Sequence, residues 1–222
     1  MNRYAMPVHR EVEDFESDEI IDEIPDLILM LKEINTIEEY LTIDYHVNSI
    51  LRKLWFEINL KRGINLRDRE KLYPVFSELN RILKGDKTVS FAYRGVRASN
   101  FDPNIISENY SFDMEEEIIP REPRVLEHLE SLAYGLRSWT KKYLTSLDWA
   151  NSQQYTTKDR IIFQIDHTDV VLDADAYLKA SSHRTYSSAF DSNEVILLIK
   201  NPKIKSIQKV EDGIYLVKIK DN

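Results

Sequence analysis

The chain has 222 residues, of which 42% are apolar and 31% charged, a composition typical of a soluble protein that forms one compact unit. It contains no cysteine, which excludes disulfides, thiolate zinc sites and cysteine nucleophiles. Its five histidines form no HxH or HxxxH pair, so no metal site is expected, and the net charge of −8 argues against binding along a phosphate backbone.

Acidic residues are concentrated at the start of the chain. Residues 1–33 hold ten Asp and Glu against three Lys and Arg, which accounts for −7 of the net charge of −8. We interpret residues 1–17 as a flexible acidic arm. The first residues lack the apolar core of a signal peptide, and no stretch reaches the roughly 18 apolar residues of a membrane helix. We therefore expect a cytoplasmic protein that does not bind membranes.

Residues 18–86 are predicted to form an N-terminal helical region. Apolar residues follow helical spacing from Asp18, but Pro25 interrupts them, which predicts a turn followed by a short helix. Thr36 and Glu39 form a capping box, because each side chain can satisfy a free backbone N–H at a helix start.

Two longer helices complete this region. The helix opened by the capping box is expected to run to about Arg62. Gly63 is expected to be its left-handed C-terminal cap. A third helix follows Asn65 and is expected to be closed by Gly85. We interpret these helices as scaffold.

The periodicity changes to two at Lys87. Phe91 and Tyr93 are expected on the apolar side of a strand, with Arg94 on the opposite side and Gly95 at the strand end. A long acidic loop is then expected over residues 100–123.

The remainder is predicted to alternate helices and strands and to end in a β-rich third. A helix from about Arg124 ends at Gly135, and a short strand-like element with Ser138-Trp139-Thr140 precedes a helix starting at Lys141. Further strands are expected at residues 160–165, 169–172, 194–200, 204–210 and 213–219, with Asp212-Gly213 as a hairpin turn.

Three short motifs stand in order on these elements: Tyr93-Arg94-Gly95 at a strand end, Ser138-Trp139-Thr140 before a helix, and Glu194 at the start of a strand. In this order they resemble the arginine, serine and glutamate motifs of the mono-ADP-ribosyltransferases of the bacterial toxin and phage type. The helix after Ser-Trp-Thr also resembles the family in its small, aromatic and alanine positions, here Ser146, Trp149 and Ala150. The resemblance covers roughly residues 88 to 220.

The resemblance implies an α+β fold, in which residues 87–222 form an ADP-ribosyltransferase-like split β-sandwich, packed with the N-terminal helical region into one unit. It implies NAD as substrate, bound in the cleft between the two sheets, and no metal. The implied activity is transfer of one ADP-ribose to a macromolecular acceptor with release of nicotinamide. A host protein is the favoured acceptor, in the host cytoplasm if a phage encodes the chain. A nucleic acid is disfavoured as acceptor but stays open.

The resemblance also assigns roles to residues. Glu194 is the candidate catalytic residue, because a carboxylate can hold the ribose 2′-OH and stabilise an oxocarbenium-like transition state. Arg94 presents a planar fork of donors to phosphate or ribose, although a structural ion pair is the alternative. One of the hydroxyls of Ser138 and Thr140 is expected to brace Glu194. The full set expected to bind NAD is Tyr93, Arg94, Gly95, Ser138, Trp139 and Thr140.

The sequence departs from the family two residues before the glutamate. Family members carry Glu or Gln there to orient the acceptor, whereas this chain has Ser192, and Asp191 is out of register. The loop with Tyr186, Phe190 and Ser192 is expected to recognise the acceptor, but the modified side chain stays open.

Two other functions therefore remain. An NAD glycohydrolase would use the same site with water as acceptor, a hypothesis that Ser192 motivates. A non-enzymatic binding or inhibitor protein would use the acidic arm and the N-terminal helices.

Overall fold

The described part of the chain is a mixed α/β structure. The computed structural model describes residues 17–42, 70–97, 102–151, 159–174, 176–177 and 193–222. Its five α-helices are α1 Ser17–Glu33, α2 Ile37–Leu41, α3 Tyr73–Leu83, α4 Pro123–Ala133 and α5 Tyr143–Asn151. None of these described helices has the length and apolar character needed to cross a bilayer.

The strands of the described residues form one eight-stranded sheet. They are β1 Thr88–Arg97, β2 Glu117–Ile118, β3 Gly135–Thr140, β4 Arg160–Asp169, β5 Leu172–Asp173, β6 Glu194–Ile199, β7 Pro202–Glu211 and β8 Ile214–Asp221. Their order is β2-β7-β8-β4-β1-β3-β6-β5. The β4–β8 pair is parallel, and the other pairs are antiparallel.

The sheet has a weak joint between β1 and β3. In the described residues these two strands are in register at one pair, Tyr93 opposite Thr140. By contrast, β1 and β4 pair along their whole length. The sheet therefore consists of two blocks, β2-β7-β8-β4-β1 and β3-β6-β5, joined at a single point. Because the strands are hydrogen-bonded into one sheet, the division into a split sandwich stays a prediction.

The N-terminal helices cover the smaller block. One buried cluster contains Ile24, Leu27 and Leu31 of α1, Val75, Phe76, Leu79 and Ile82 of α3, and Leu136, Leu172 and Ile196 of the strands. The Arg81 side chain donates hydrogen bonds to the carbonyl oxygens of Leu31 at 3.2 Å and Ile34 at 2.8 Å. These bonds fix the end of α1 and the residue after it to α3.

A second buried cluster takes side chains from both blocks and from α4. Its members include Ala92 and Val96 of β1, Val125 and Leu129 of α4, Trp139 of β3, Phe163 of β4, Val195 and Leu197 of β6, and Val217 of β8. A smaller cluster joins Ala150 of α5 to Ile162 and Ile214 of the larger block. The side chains of the larger block that contact α5 are therefore not those that belong to the second cluster.

The helices differ from the sequence predictions in three places. Pro25 does not interrupt the first helix, since α1 is continuous through it. Its cost of about 3 kcal/mol is offset by burying the α1 side chains named above, each worth about 1.5–3 kcal/mol. The capping box of Thr36 and Glu39 is confirmed, but α2 ends at Leu41, so one helix to Arg62 is wrong. At the end of α3 the left-handed residue is Lys84, with φ 53°, rather than Gly85.

The strand predictions were wrong in detail around β1. Phe91 was expected on the apolar side, but its side chain is 47% exposed, whereas Ala92 and Val96 are buried. The side bearing Ala92 and Val96 joins the second cluster, and alternation therefore turns Phe91 away from it. Gly95 does not end the strand, because β1 continues to Arg97. The expected loop at residues 100–123 also contains β2, which pairs with β7.

The buried side chain of His128 on α4 is expected to make the folded protein less stable in acid. Its Nε2 atom is buried without a hydrogen-bond partner in the described residues, and burial lowers the pKa of His128, with smaller effects from Asp102 and Arg124. As the pH falls below about 6.5, the unfolded state binds a proton before the folded state does, so this contribution to stability is lost. Urea unfolding of His128→Gln from pH 8 to 5.5 should show a shallower fall than wild type, and parallel curves would contradict this account.

Candidate active site

A row of polar side chains crosses the joint between the two blocks. Tyr93 of β1 lies opposite Thr140 of β3, and Thr140 lies opposite Glu194 of β6. Residues directly opposite one another share a face of the sheet, and Ser138 shares it as well because it is two positions from Thr140. Three strands therefore place Tyr93, Ser138, Thr140 and Glu194 on one face.

Glu194 is buried rather than solvated. Its side chain is 5% exposed, and those of Ser138 and Thr140 are 3% and 0% exposed. The Ser138 hydroxyl donates a hydrogen bond to Oε1 of Glu194. Burying a carboxyl group among apolar strands is costly unless it is hydrogen-bonded, and such groups are concentrated at functional sites. Glu194 is therefore not a solvent-exposed residue at the end of its strand.

Arg94 connects β1 to the residue that holds Glu194. Its Nη1 atom donates a 2.7 Å hydrogen bond to the carbonyl oxygen of Ser138. The bond lies next to the single registered pair of β1 and β3, so the guanidinium links the two blocks where ladder pairing ends. Arg94 therefore positions Ser138 whatever else it binds.

Thr140 has a different contact from Ser138. Its Oγ1 accepts a 3.1 Å hydrogen bond from the backbone N–H of Lys142, where the chain turns into α5. The backbone N–H of Lys141 donates at 2.8 Å to the carbonyl oxygen of Asn193, the residue before Glu194. The end of β3 and the start of β6 are thus fixed to each other beside the carboxyl group.

Helix α5 packs on β1 at Gly95. A Cβ atom on Gly95 would lie 1.8 Å from the carbonyl oxygen of Ser146 and 2.8 Å from the backbone nitrogen of Ala150. The rings of Tyr93 and Tyr143 meet edge to face, with centroids 5.8 Å apart. Glycine at position 95 therefore allows α5 to pack closely on β1. This geometry does not require Gly95 to contact NAD.

Solved structures similar to this chain are ADP-ribosyltransferases. The Vibrio splendidus enzyme Vis in complex with an inhibitor is 13% identical, with 94% of this chain and 86% of that chain covered and a TM-score of 0.43. Vis in complex with agmatine is 12% identical, with 94% and 87% covered and a TM-score of 0.41. HopU1 of Pseudomonas syringae pv. tomato DC3000 is 17% identical, with 77% and 65% covered and a TM-score of 0.40.

No protein-family model and no curated protein matches the sequence. The solved structures are similar to this chain at 12 to 17% identity and TM-scores of 0.40 to 0.43. We therefore base the function on the residues of this chain.

One residue assigned to NAD faces the core, and the residues assigned to acceptor recognition lie outside the described residues. Trp139 is 0% exposed and belongs to the second cluster, since alternation turns it away from Ser138 and Thr140. The structure places Trp139 in this core, and its assignment to the NAD site stays a prediction. Tyr186, Phe190 and Ser192 lie outside the described residues.

The sequence predictions did not include a polar cluster at the ends of β3 and β5. The Lys141 ammonium lies 2.8 Å from Asp86 Oδ2 and 3.4 Å from Asp173 Oδ2. Burial alone would lower the pKa of Lys141, but the hydrogen bonds and charges of Asp86 and Asp173 outweigh it and raise that pKa. The one available signal was Asp173, a carboxylate within an apolar stretch. No group of three or more His, Cys, Asp or Glu suited to a metal occurs among the described residues.

Proposed function

We propose that this chain is a mono-ADP-ribosyltransferase that moves ADP-ribose from NAD⁺ to a macromolecular acceptor and releases nicotinamide. The observation that carries the proposal is Glu194, a buried carboxyl group at the start of β6 that accepts a hydrogen bond from Ser138. We also propose the split β-sandwich arrangement of this family, since β1 and β3 are joined at one registered pair.

The chemistry requires one carboxylate. When the glycosidic bond between C1′ and nicotinamide breaks, the electron pair leaves with the nicotinamide nitrogen, and the ribose acquires oxocarbenium character. Glu194 would accept a hydrogen bond from the ribose 2′-OH and stabilise the developing positive charge. Nicotinamide departs as a neutral molecule, so no general acid is needed. The acceptor then forms a bond to C1′ and loses a proton.

The neighbouring residues would hold the dinucleotide. Arg94, whose Nη1 donates to the Ser138 carbonyl oxygen at 2.7 Å, would present its planar guanidinium to a phosphate or ribose oxygen. Tyr93 lies on the face that carries Glu194 and is half-buried, and its ring would contact the nicotinamide ribose half. Thr140 holds the turn into α5 and shapes the wall of the site.

The acceptor is proposed to be a host protein, recognised through the loop that contains Tyr186, Phe190 and Ser192. Serine cannot deprotonate an acceptor at neutral pH, so the side chain that is modified is not assigned. Because of Ser192, an NAD glycohydrolase is the second candidate function, in which water replaces the acceptor protein. The ratio of free ADP-ribose to protein-bound ADP-ribose distinguishes the two.

The first test is cleavage of NAD⁺. The purified chain incubated with NAD⁺ should release nicotinamide in proportion to time and enzyme concentration, measured by chromatography. Adding a bacterial lysate should shift the product from free ADP-ribose to protein-bound ADP-ribose. No nicotinamide release with or without lysate, together with no binding of NAD⁺ by calorimetry, would exclude both the transferase and the glycohydrolase.

Ser138→Ala is expected to lower kcat for nicotinamide release by about 10- to 100-fold, because a misplaced catalytic group costs rate of this order. The substitution removes only the hydroxyl group that donates to Glu194. Ser131→Ala on α4 is the matched control, because that hydroxyl donates to the His128 carbonyl oxygen within its own helix. Equal rates for wild type and Ser138→Ala would remove Ser138 from the mechanism.

A further inference from the structure

The strand that begins with Glu194 is flanked by two strands whose ends are connected by an ion pair. In the sheet, β6 lies between β3 and β5. Thr140, the last residue of β3, lies opposite Glu194, and Asp173, the last residue of β5, lies opposite Val195. Lys141 follows Thr140 directly, and its ammonium lies 3.4 Å from the Asp173 carboxylate. The side chain of Lys141 therefore spans the start of β6.

Asp173 is itself held in place from the α3 side. Its carboxylate is 8% exposed and accepts a 3.1 Å hydrogen bond from the backbone N–H of Asp86. Its backbone N–H donates at 2.9 Å to Asn80 Oδ1, and the Asn80 amide donates at 2.9 Å to the Asp86 carbonyl oxygen. Gly85 leaves room for these contacts, since a Cβ there would lie 2.1 Å from Asn80 Oδ1.

Lys141 also contacts the residue before Glu194 through its backbone. Its N–H donates at 2.8 Å to the Asn193 carbonyl oxygen. One residue thus fixes the chain that enters Glu194 with its backbone and connects the neighbouring strands with its side chain. An isolated surface ion pair contributes little, but the Lys141 side chain is 25% exposed and the Asp173 side chain 8% exposed, so this pair is partly removed from water.

We propose that Lys141 is a positioning residue for the reaction at Glu194, acting through Asp173 and Asn193 to hold the start of β6 against Ser138. This inference rests on the proposed function. Lys141 does not touch substrate in this role, and it fixes the carboxyl group in the orientation that the ribose requires. Because α3 and the following loop hold Asp173, the N-terminal helical region takes part in aligning the site.

The test compares Lys141→Gln, Lys141→Arg and Asp173→Asn in the full chain. Lys141→Gln should lower kcat for nicotinamide release by about 10- to 100-fold, with the KM for NAD⁺ changed by less than about threefold. Lys141→Arg keeps the charge and should recover most of the rate. The double variant Lys141→Gln/Asp173→Asn should be no slower than the slower single variant, because Lys141→Gln already removes the ion pair that Asp173→Asn breaks.

Lys203→Gln is the matched control. The Lys203 ammonium lies 2.9 Å from Glu130 and connects β7 to α4. The substitution therefore removes an ion pair that does not involve the strand of Glu194. This variant should keep wild-type kcat. A Lys141→Gln variant that raises KM alone would show that the lysine binds substrate, and one with an unchanged kcat would show that it has no role; either result overturns the proposal.

Amide hydrogen exchange gives a second measurement that does not depend on activity. The peptide containing residues 193–199 should exchange faster in Lys141→Gln than in wild type or Lys203→Gln. If wild type releases no nicotinamide, the proposed function fails, while faster exchange would still show that Lys141 holds β6. Unchanged exchange in Lys141→Gln would overturn the positioning role even in an active enzyme.

Discussion

Replacing Glu194 with glutamine is expected to lower the rate of nicotinamide release by about 10²- to 10³-fold, the loss typical of removing one group that stabilises transition-state charge. Glutamine has nearly the same size and can still accept a hydrogen bond from Ser138, so the buried site keeps its packing. What it lacks is the negative charge facing the oxocarbenium-like ribose. NAD⁺ binding should therefore be reduced much less than kcat.

The control for this variant is Glu117→Gln. Glu117 is an exposed carboxylate on β2 that lies 3.0 Å from the Lys218 ammonium, in a strand of the other block. Steady-state nicotinamide release and calorimetric titration with NAD⁺ should be measured on both variants. If Glu194→Gln retains more than about a tenth of the wild-type rate, the carboxylate is not the group that stabilises the transition state.

Gly95→Ala is expected to destabilise the fold by about 3 kcal/mol, in the upper range for overpacked cores. The added methyl group would lie 1.8 Å from one backbone atom of α5 and 2.8 Å from another, and backbone cannot move aside as a flexible side chain can. The helix would have to move off β1, which would also separate Tyr143 from Tyr93. Urea unfolding followed by circular dichroism measures the effect.

Gly213→Ala separates steric contact from backbone conformation. Gly213 has a φ of +67°, but a Cβ there would meet nothing closer than 3.6 Å, the end of the Arg160 side chain. Its replacement should cost about 1 kcal/mol, the penalty of a left-handed conformation. If Gly95→Ala costs no more than Gly213→Ala, then α5 does not pack on β1 as described.

Much of the secondary structure could be predicted because local patterns determine it. The capping box of Thr36 and Glu39, the turn at Gly213 and the apolar run of β6 each depend on residues close in sequence. The continuity of the helix at Pro25 and the exposure of Phe91 differ from the predictions, because both depend on tertiary packing. The free energy gained by burying one face of α1 exceeds the cost of the proline. The second cluster packs on the side of β1 that carries Ala92 and Val96, so these residues are buried and Phe91 is exposed.

The candidate site was predicted in part for the same reason. Alternation along one strand places Ser138 and Thr140 on a common face, and the sequence shows this directly. The contact of Ser138 with Glu194 joins residues 56 positions apart, and that of Lys141 with Asp173 joins residues 32 positions apart. Such contacts depend on strand order and register, for which a single sequence carries little signal. Trp139 faces the core instead, because adjacent strand residues face opposite sides of the sheet.

The most direct test of the central claim uses NAD⁺ labelled in its adenylate half. Wild-type protein and Glu194→Gln are each incubated with this substrate and a bacterial lysate, and the label is located by mass spectrometry. We predict that wild type places ADP-ribose on side chains of acceptor proteins while nicotinamide is released, and that Glu194→Gln does not. Label transfer by Glu194→Gln at the wild-type rate, or intact NAD⁺ and no label with wild type, would contradict the account.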